Sequence, residues 1–178
     1  MILRFLRPDP RRIQVDGLHE RIAAASRRPG LYLALGIPDT VEGRFESLAL
    51  HVILAVRRLR RLPPPGDEVG QELVDGVFRH LDVSLREMGV GDLTVPKRIK
   101  ALAAAFYGRV QAYGAALDAV DRDALRAALE RNVTAEPAAA ARLAAYMLEA
   151  EPLLDGQGLD IFLGQGPRFP AVPEEDLT

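Results

Sequence analysis

The sequence predicts an all-α fold, a single-domain helical bundle of about six helices with an extended C-terminal tail. Three observations point there. Ala, Leu, Arg and Glu dominate a composition that is only 6% aromatic, which favours helix over strand. Apolar residues recur at three- and four-residue spacing through several segments. Proline and glycine clusters punctuate the chain between those segments. At 178 residues and 48% hydrophobic content, the chain is long enough to bury a real core.

Asp9 or Asp16 starts a first helix that reaches about Arg28, where Pro29-Gly30 ends it. The next stretch, LYLALGIPDT, is too short and too punctuated for a helix and reads as an extended connection. Asp39 or Thr40 caps a second helix to about Leu62. Phe45, Leu48, Ala49, Val52, Val56 and Leu59 form one stripe on it, and Leu50, Ile53 and Leu54 widen that stripe nearly all round. Such a helix is buried on several sides. Pro63-Pro64-Pro65-Gly66 breaks the chain, and Asp67 starts a third helix. Its buried face is Val69, Leu73, Val77, Leu81, Leu85 and Met88, with Val74 and Phe78 beside it. Gly89 fits the left-handed residue that closes a helix. A fourth helix begins at Thr94 to Pro96, with Ile99, Leu102, Phe106, Val110, Tyr113 and Leu117 facing inward. Asp121 caps a fifth helix to about Asn132, and Pro137 opens a sixth to about Glu151. The helical domain thus spans residues 1–151. Residues 152–178 form a Gly/Pro-rich tail, which Leu159, Ile161, Phe162 and Leu163 can pin to the body.

The chain holds no cysteine, which excludes disulfides, thiolate metal sites and a cysteine nucleophile. The opening MILRFLRPDPRR is broken by Arg4 and Arg7 and lacks the apolar run of a secretory signal. The longest strongly apolar segment, Leu48 to Val56, is far below the ~20 residues that cross a bilayer. These features point to a cytoplasmic protein.

Charge alternates along the chain. Residues 1–62 carry a net +6, residues 63–96 −5, residues 97–110 +4 and residues 111–178 −7. Such alternation can hold helices in register, or set a basic face opposite an acidic one.

No motif carries chemistry. Gly89-Val90-Gly91 follows a helix rather than a strand and has no third glycine, so it reads as helix stop and turn rather than phosphate loop. His19, His51 and His80 sit on three helices, and none has a usual metal ligand three or four residues on. Ser26, Ser47 and Ser84 lack a nucleophile elbow. Asp67, Glu68, Glu72 and Asp75 look like a solvated helix face. No catalytic residue, metal or cofactor is expected.

The surfaces are more informative. Arg57, Arg58, Arg60 and Arg61 end the second helix, where they complement its dipole. They read as a solvated helix end, or as a face for anionic lipid or for an acidic or nascent polypeptide. The fourth helix carries Lys97, Arg98, Lys100 and Arg109, with no acid between Asp92 and Asp118, and takes the same readings. Tyr107 is offset from the buried stripe. Nucleic acid is disfavoured, because net charge is −2 and no aromatics interleave with the basic segments.

Three blocks carry a family resemblance. IPDTVEGRFESLALHVILAVRRL (Ile37 to Leu59), REMGVGDLTVPKRIKALAAAFYGR (Arg86 to Arg109) and DALRAALERNV (Asp123 to Val133) resemble the ubiquinol–cytochrome c chaperone family, over roughly residues 29–133. The resemblance implies a non-enzymatic assembly factor for the ubiquinol–cytochrome c oxidoreductase. It implies newly made cytochrome b as client, and leaves open whether a small partner protein is needed. The short opening without a presequence is similar to bacterial members. That suggests placement in the cytoplasm, peripheral on the inner face of the cytoplasmic membrane. Keeping a client with several apolar spans from aggregating requires an exposed apolar groove, preferably rimmed by charge. Arg57, Arg58, Arg60, Arg61, Lys97, Arg98, Lys100, Tyr107 and Arg109 are the candidates to border it, or to hold an anionic membrane. A membrane-surface adaptor without a client is the alternative. An enzyme with a pocket between helices is the other, and needs two or more of His51, His80, Tyr107 and an acid in one cleft.

Overall fold

The computed structural model describes residues 10–173. These form eight helices and no strand: α1 (Pro10–Ala25), α2 (Pro29–Leu33), α3 (Val41–Arg61), α4 (Gly66–Glu87), α5 (Val95–Asp118), α6 (Arg122–Asn132), α7 (Pro137–Asp155) and α8 (Leu159–Gly164). The all-α reading holds, with two short helices more than the apolar stripes announce. Asp9 lies outside the described residues, and Asp16 sits within α1 rather than at its start.

Helix α3 is the hub. It packs against α1, α4, α5 and α7. Twelve of its 21 residues are buried, in line with an apolar stripe that runs nearly all round. The Thr40 hydroxyl accepts the Gly43 N–H at 3.0 Å, which caps its start. Helix α4 then folds back along it. Gly66 is required at this hairpin, since a Cβ there would stand 2.4 Å from the Leu59 carbonyl oxygen.

Gly89 closes α4 as the sequence predicts, at φ +79°. The Gly89 N–H donates to Arg86 O and the Val90 N–H to Leu85 O, the paired bonds of a Schellman stop. This settles Gly89-Val90-Gly91 as a turn. Met88 departs from its expected buried place and is 58% exposed. Helix α5 returns from the turn. Asp121 caps α6 by accepting the Ala124 N–H at 2.9 Å, and α6 lies against both α5 and α7.

Two proline readings change. Pro29 ends no helix; it opens α2, because proline is compatible with the first turn of a helix. Only the remainder of LYLALGIPDT, from Ala34, is non-helical. Helix α7 does not stop near Glu151 but runs through Pro152 to Asp155. Its last turn is held from outside, by the full burial of Ala150 and Leu154 and by arginines from α3. Tertiary contact there outweighs the lost backbone bond.

The segment after α7 lies on the body. Phe162 of α8 is fully buried, and α8 packs on α1. Residues 165–173 then run without regular structure. Phe169 sets its ring edge-on to His51 at 4.7 Å, and Arg28 donates to Pro170 O at 2.9 Å.

Candidate functional site

The eight basic candidates fall into three groups. The first ends α3. Arg57 is only 16% exposed; it donates to Glu151 at 2.9 Å and to Asp118 at 2.7 Å. Its guanidinium holds the Asp118 carboxyl below the usual carboxylate range. Arg58 donates to Gln157 O at 3.0 Å and lies 3.7 Å from Asp155. Arg61 reaches Glu151 at 3.0 Å and Asp155 at 3.1 Å. These three arginines therefore clamp α3 to the last turn of α7. Arg60 points elsewhere, half exposed, with a loose 3.5 Å contact to Asp67.

The second group is Arg109, which forms a bidentate pair with Glu46 of α3, both contacts at 2.5 Å. Burial pushes the Glu46 carboxyl up, and Arg109 works against that shift. Both side chains are nearly buried, so this cation serves the α3–α5 contact.

The third group is Lys97, Arg98 and Lys100 in the first turns of α5. All three are exposed, and they form no ion pair with any described residue. They lie far along the helix from Arg109. The basic candidates thus lie toward the two ends of α5, the α3 arginines by Asp118 and the lysines by Val95.

Between the ends lies a small apolar recess of about 80 Å³. Ile53 and Val56 of α3, Val74 of α4, and Phe106 and Val110 of α5 form its walls. Arg57, Arg60, Gln71 and Tyr107 stand at its edge. Tyr107 is 50% exposed, and its ring meets Phe106 edge-on at 5.5 Å. Phe106 in turn meets Phe78. The recess has room for about one side chain, and apolar walls with a half-exposed aromatic at the lip suit an anchoring residue of a partner.

A larger cleft of about 300 Å³ lies between α1 and α4, lined by Arg12, Val15, Asp16, Glu72, Asp75 and Arg79. Its charges are mixed and partly paired, with Arg79 3.5 Å from Asp16. The histidines lie outside both cavities. His51 is fully buried, bonded to Ser47 O at 2.7 Å and to the Tyr146 hydroxyl at 2.8 Å. His19 and His80 stack face to face at 4.1 Å, a meeting their distant positions in the chain do not announce. Among the described residues, no group of three or more His, Asp or Glu is gathered as a metal site.

The missed residues are the acids that take up the arginines. Three carried a signal. Glu151 and Asp155 lie in the last two turns of α7, toward the end where negative charge opposes the dipole unless a cation answers it. Glu46 stands in register with Leu50 and Ile53 on an otherwise apolar face, so burial required a partner.

The family model for "Ubiquinol-cytochrome C chaperone" matches residues 33–169. The match extends beyond the 29–133 stretch to include α7, α8 and part of the terminal segment. A crystal structure of the Cbp3 homolog from Brucella abortus is similar, with a TM-score of 0.79 and 41% identity over 89% of this chain and 90% of that one. No curated protein sequence matches. With most of its length matched and a structure so similar at that identity, this chain belongs to the ubiquinol–cytochrome C chaperone family.

Proposed function

We propose that the protein is a chaperone in assembly of the ubiquinol–cytochrome c oxidoreductase that binds newly made cytochrome b, with the recess between α3, α4 and α5 as an anchoring point. Family membership supports the assembly role. The observation that carries the binding reading is the recess itself, apolar within, with Tyr107 and the poorly paired Arg60 at its lip. An unfinished membrane subunit exposes apolar side chains that need such cover. The work is done by binding, without a covalent step. No helix among the described residues is long and apolar enough to cross a membrane. On this reading the protein meets its client peripherally, on the inner face of a bacterial cytoplasmic membrane.

Deletion of the gene in its native host tests the reading. The expected result is selective loss of b-type haem absorbance and of quinol-dependent cytochrome c reduction in membranes. Normal levels of both would end the chaperone assignment. Complementation with the Tyr107→Ser/Arg60→Glu double variant is expected to restore less than half of either signal, with the melting temperature nearly unchanged. Full restoration would remove the recess from the mechanism and leave the assembly role intact.

A further inference from the structure

We propose that the tip of the α4–α5 hairpin docks on an anionic lipid bilayer, with Leu93 entering the interface and Lys97, Arg98 and Lys100 holding lipid phosphates. This rests on the peripheral placement given above and names the element that makes the contact; it does not depend on the recess.

The hairpin is an arm. Between Arg79 and Ala105 only Leu85 and Val95 are buried. Leu93 at its end is 97% exposed and Met88 58%. A lone exposed leucine means little. Here it stands beside three cations that the fold leaves without a carboxylate, while Arg57, Arg58, Arg61 and Arg109 are each paired. At helical spacing Lys97, Arg98 and Lys100 cover three sides of the first turns, and half-buried Ile99 takes the fourth. The first turn of α5 holds no acid. Positive charge in the first turn is disfavoured by the helix dipole, so Lys97 and Arg98 do not serve to stabilise their own helix.

The tip also carries acids, and they are differently placed. Asp82 and Asp92 are both bound by Arg86, at 2.7 and 2.5 Å, while Glu87 has no ion pair among the described residues. Residues 82–100 sum to +1. Neither recess described above reaches the tip, which presents a lone apolar side chain and flanking cations instead. A bilayer needs no recess: it takes up an apolar side chain between headgroups while flanking cations reach the phosphates. Tyr107 lies ten residues along α5 from Lys97, about 15 Å by helical rise. With α5 upright on the bilayer, docking by the tip holds the recess about that far above the phosphates.

The cysteine-free sequence gives a clean test. Single Leu93→Cys and Val120→Cys variants of the full chain carry an environment-sensitive dye. Val120 is 72% exposed and sits at the far end of α5, a helix of 24 residues and about 36 Å. Vesicles of phosphatidylcholine with 30% phosphatidylglycerol are compared with pure phosphatidylcholine. The expected result is a blue shift at position 93 only, and only with the anionic vesicles. A Lys97→Gln/Arg98→Gln/Lys100→Gln variant should float with these vesicles about 100-fold more weakly, the combined weight of three interfacial cations. Binding of the unsubstituted chain with no shift at 93, or undiminished flotation of the triple variant, overturns the tip and leaves the peripheral placement standing. Failure of the unsubstituted chain to bind anionic vesicles removes both.

Discussion

The end of α3 and the start of α5 are both short runs of Lys or Arg, and the fold uses them in opposite ways. At the end of α3, Arg57, Arg58 and Arg61 turn inward and meet Glu151 and Asp155. At the start of α5, Lys97, Arg98 and Lys100 face solvent with no described carboxylate in reach. The difference follows from helix polarity and neighbours. The α3 cations close a helix where positive charge is favoured, and they lie beside the acidic end of α7. The α5 cations open a helix where positive charge is disfavoured, on a hairpin where no described carboxylate pairs with them. Like sequence therefore marks structure at one site and an outward-facing surface at the other. The contrast can be broken by substitution.

The largest effect is expected at the Arg109–Glu46 pair, the most buried of the internal ion pairs. Arg109→Met leaves the Glu46 carboxylate buried without its cation and should cost about 3–4 kcal/mol in urea unfolding. Replacing both residues by apolar ones should recover much of that loss. A cost below about 1 kcal/mol for the single change would mean that Arg109 is as free as the α5 cluster.

Acidification acts on the body and spares the tip, which holds no histidine. Burial holds His51 and His19 down to about 4, with the stacked His80 adding to the effect on His19. In the unfolded chain both return to about 6.5. Between those values the unfolded state binds more protons, so stability rises with pH there and is lost as pH falls from 6.5 to 4. Each group contributes at most about 3 kcal/mol. His51 bonds Tyr146 of α7 across the interface that the α3 arginines clamp. Acid and clamp substitutions should thus add on one interface. The check is a urea midpoint series at pH 7, 5.5 and 4.5; a flat series would place both histidines in water.

The clamp comes next. Arg57→Met should cost about 2 kcal/mol, less than Arg109→Met because Arg61 still answers Glu151. A double-mutant cycle between Arg57 and Glu151 should return a coupling of about 1–2 kcal/mol. Zero coupling would return Arg57 to the pool of available surface cations.

How far the sequence foretold all this divides along the same line. Local signals were readable: the near all-round apolar stripe of α3, the caps at Thr40 and Asp121, and the glycine stop at Gly89 each depend on residues within a turn or two. The two misread prolines show the limit. Pro29 serves as a helix opener where a breaker was expected, and Pro152 stays inside α7 because contacts from α3 hold that turn. The arginines show it more sharply, because a charge pattern gives sign but not partner, and Glu151 is 94 residues from Arg57. Only acids out of place against a dipole or in an apolar face hinted at the pairing. The recess was hidden for a related reason: Ile53, Val56, Phe106 and Val110 read as core, and they are core on one side only.

The smallest expected stability change belongs to the α5 cluster, and its sign is diagnostic. Cations that hold a fold together lower the melting temperature when removed. Lys97, Arg98 and Lys100 oppose the dipole of their own helix and bond to no described carboxylate, so Lys97→Gln/Arg98→Gln/Lys100→Gln should leave the melting temperature unchanged or raise it by up to about 2 °C. A fall of 5 °C would show that these residues have partners within the fold and would erase the contrast with α3. A small rise together with weakened vesicle binding would mean that the positive charge is kept at the expense of stability, as expected of side chains that serve a surface outside the molecule.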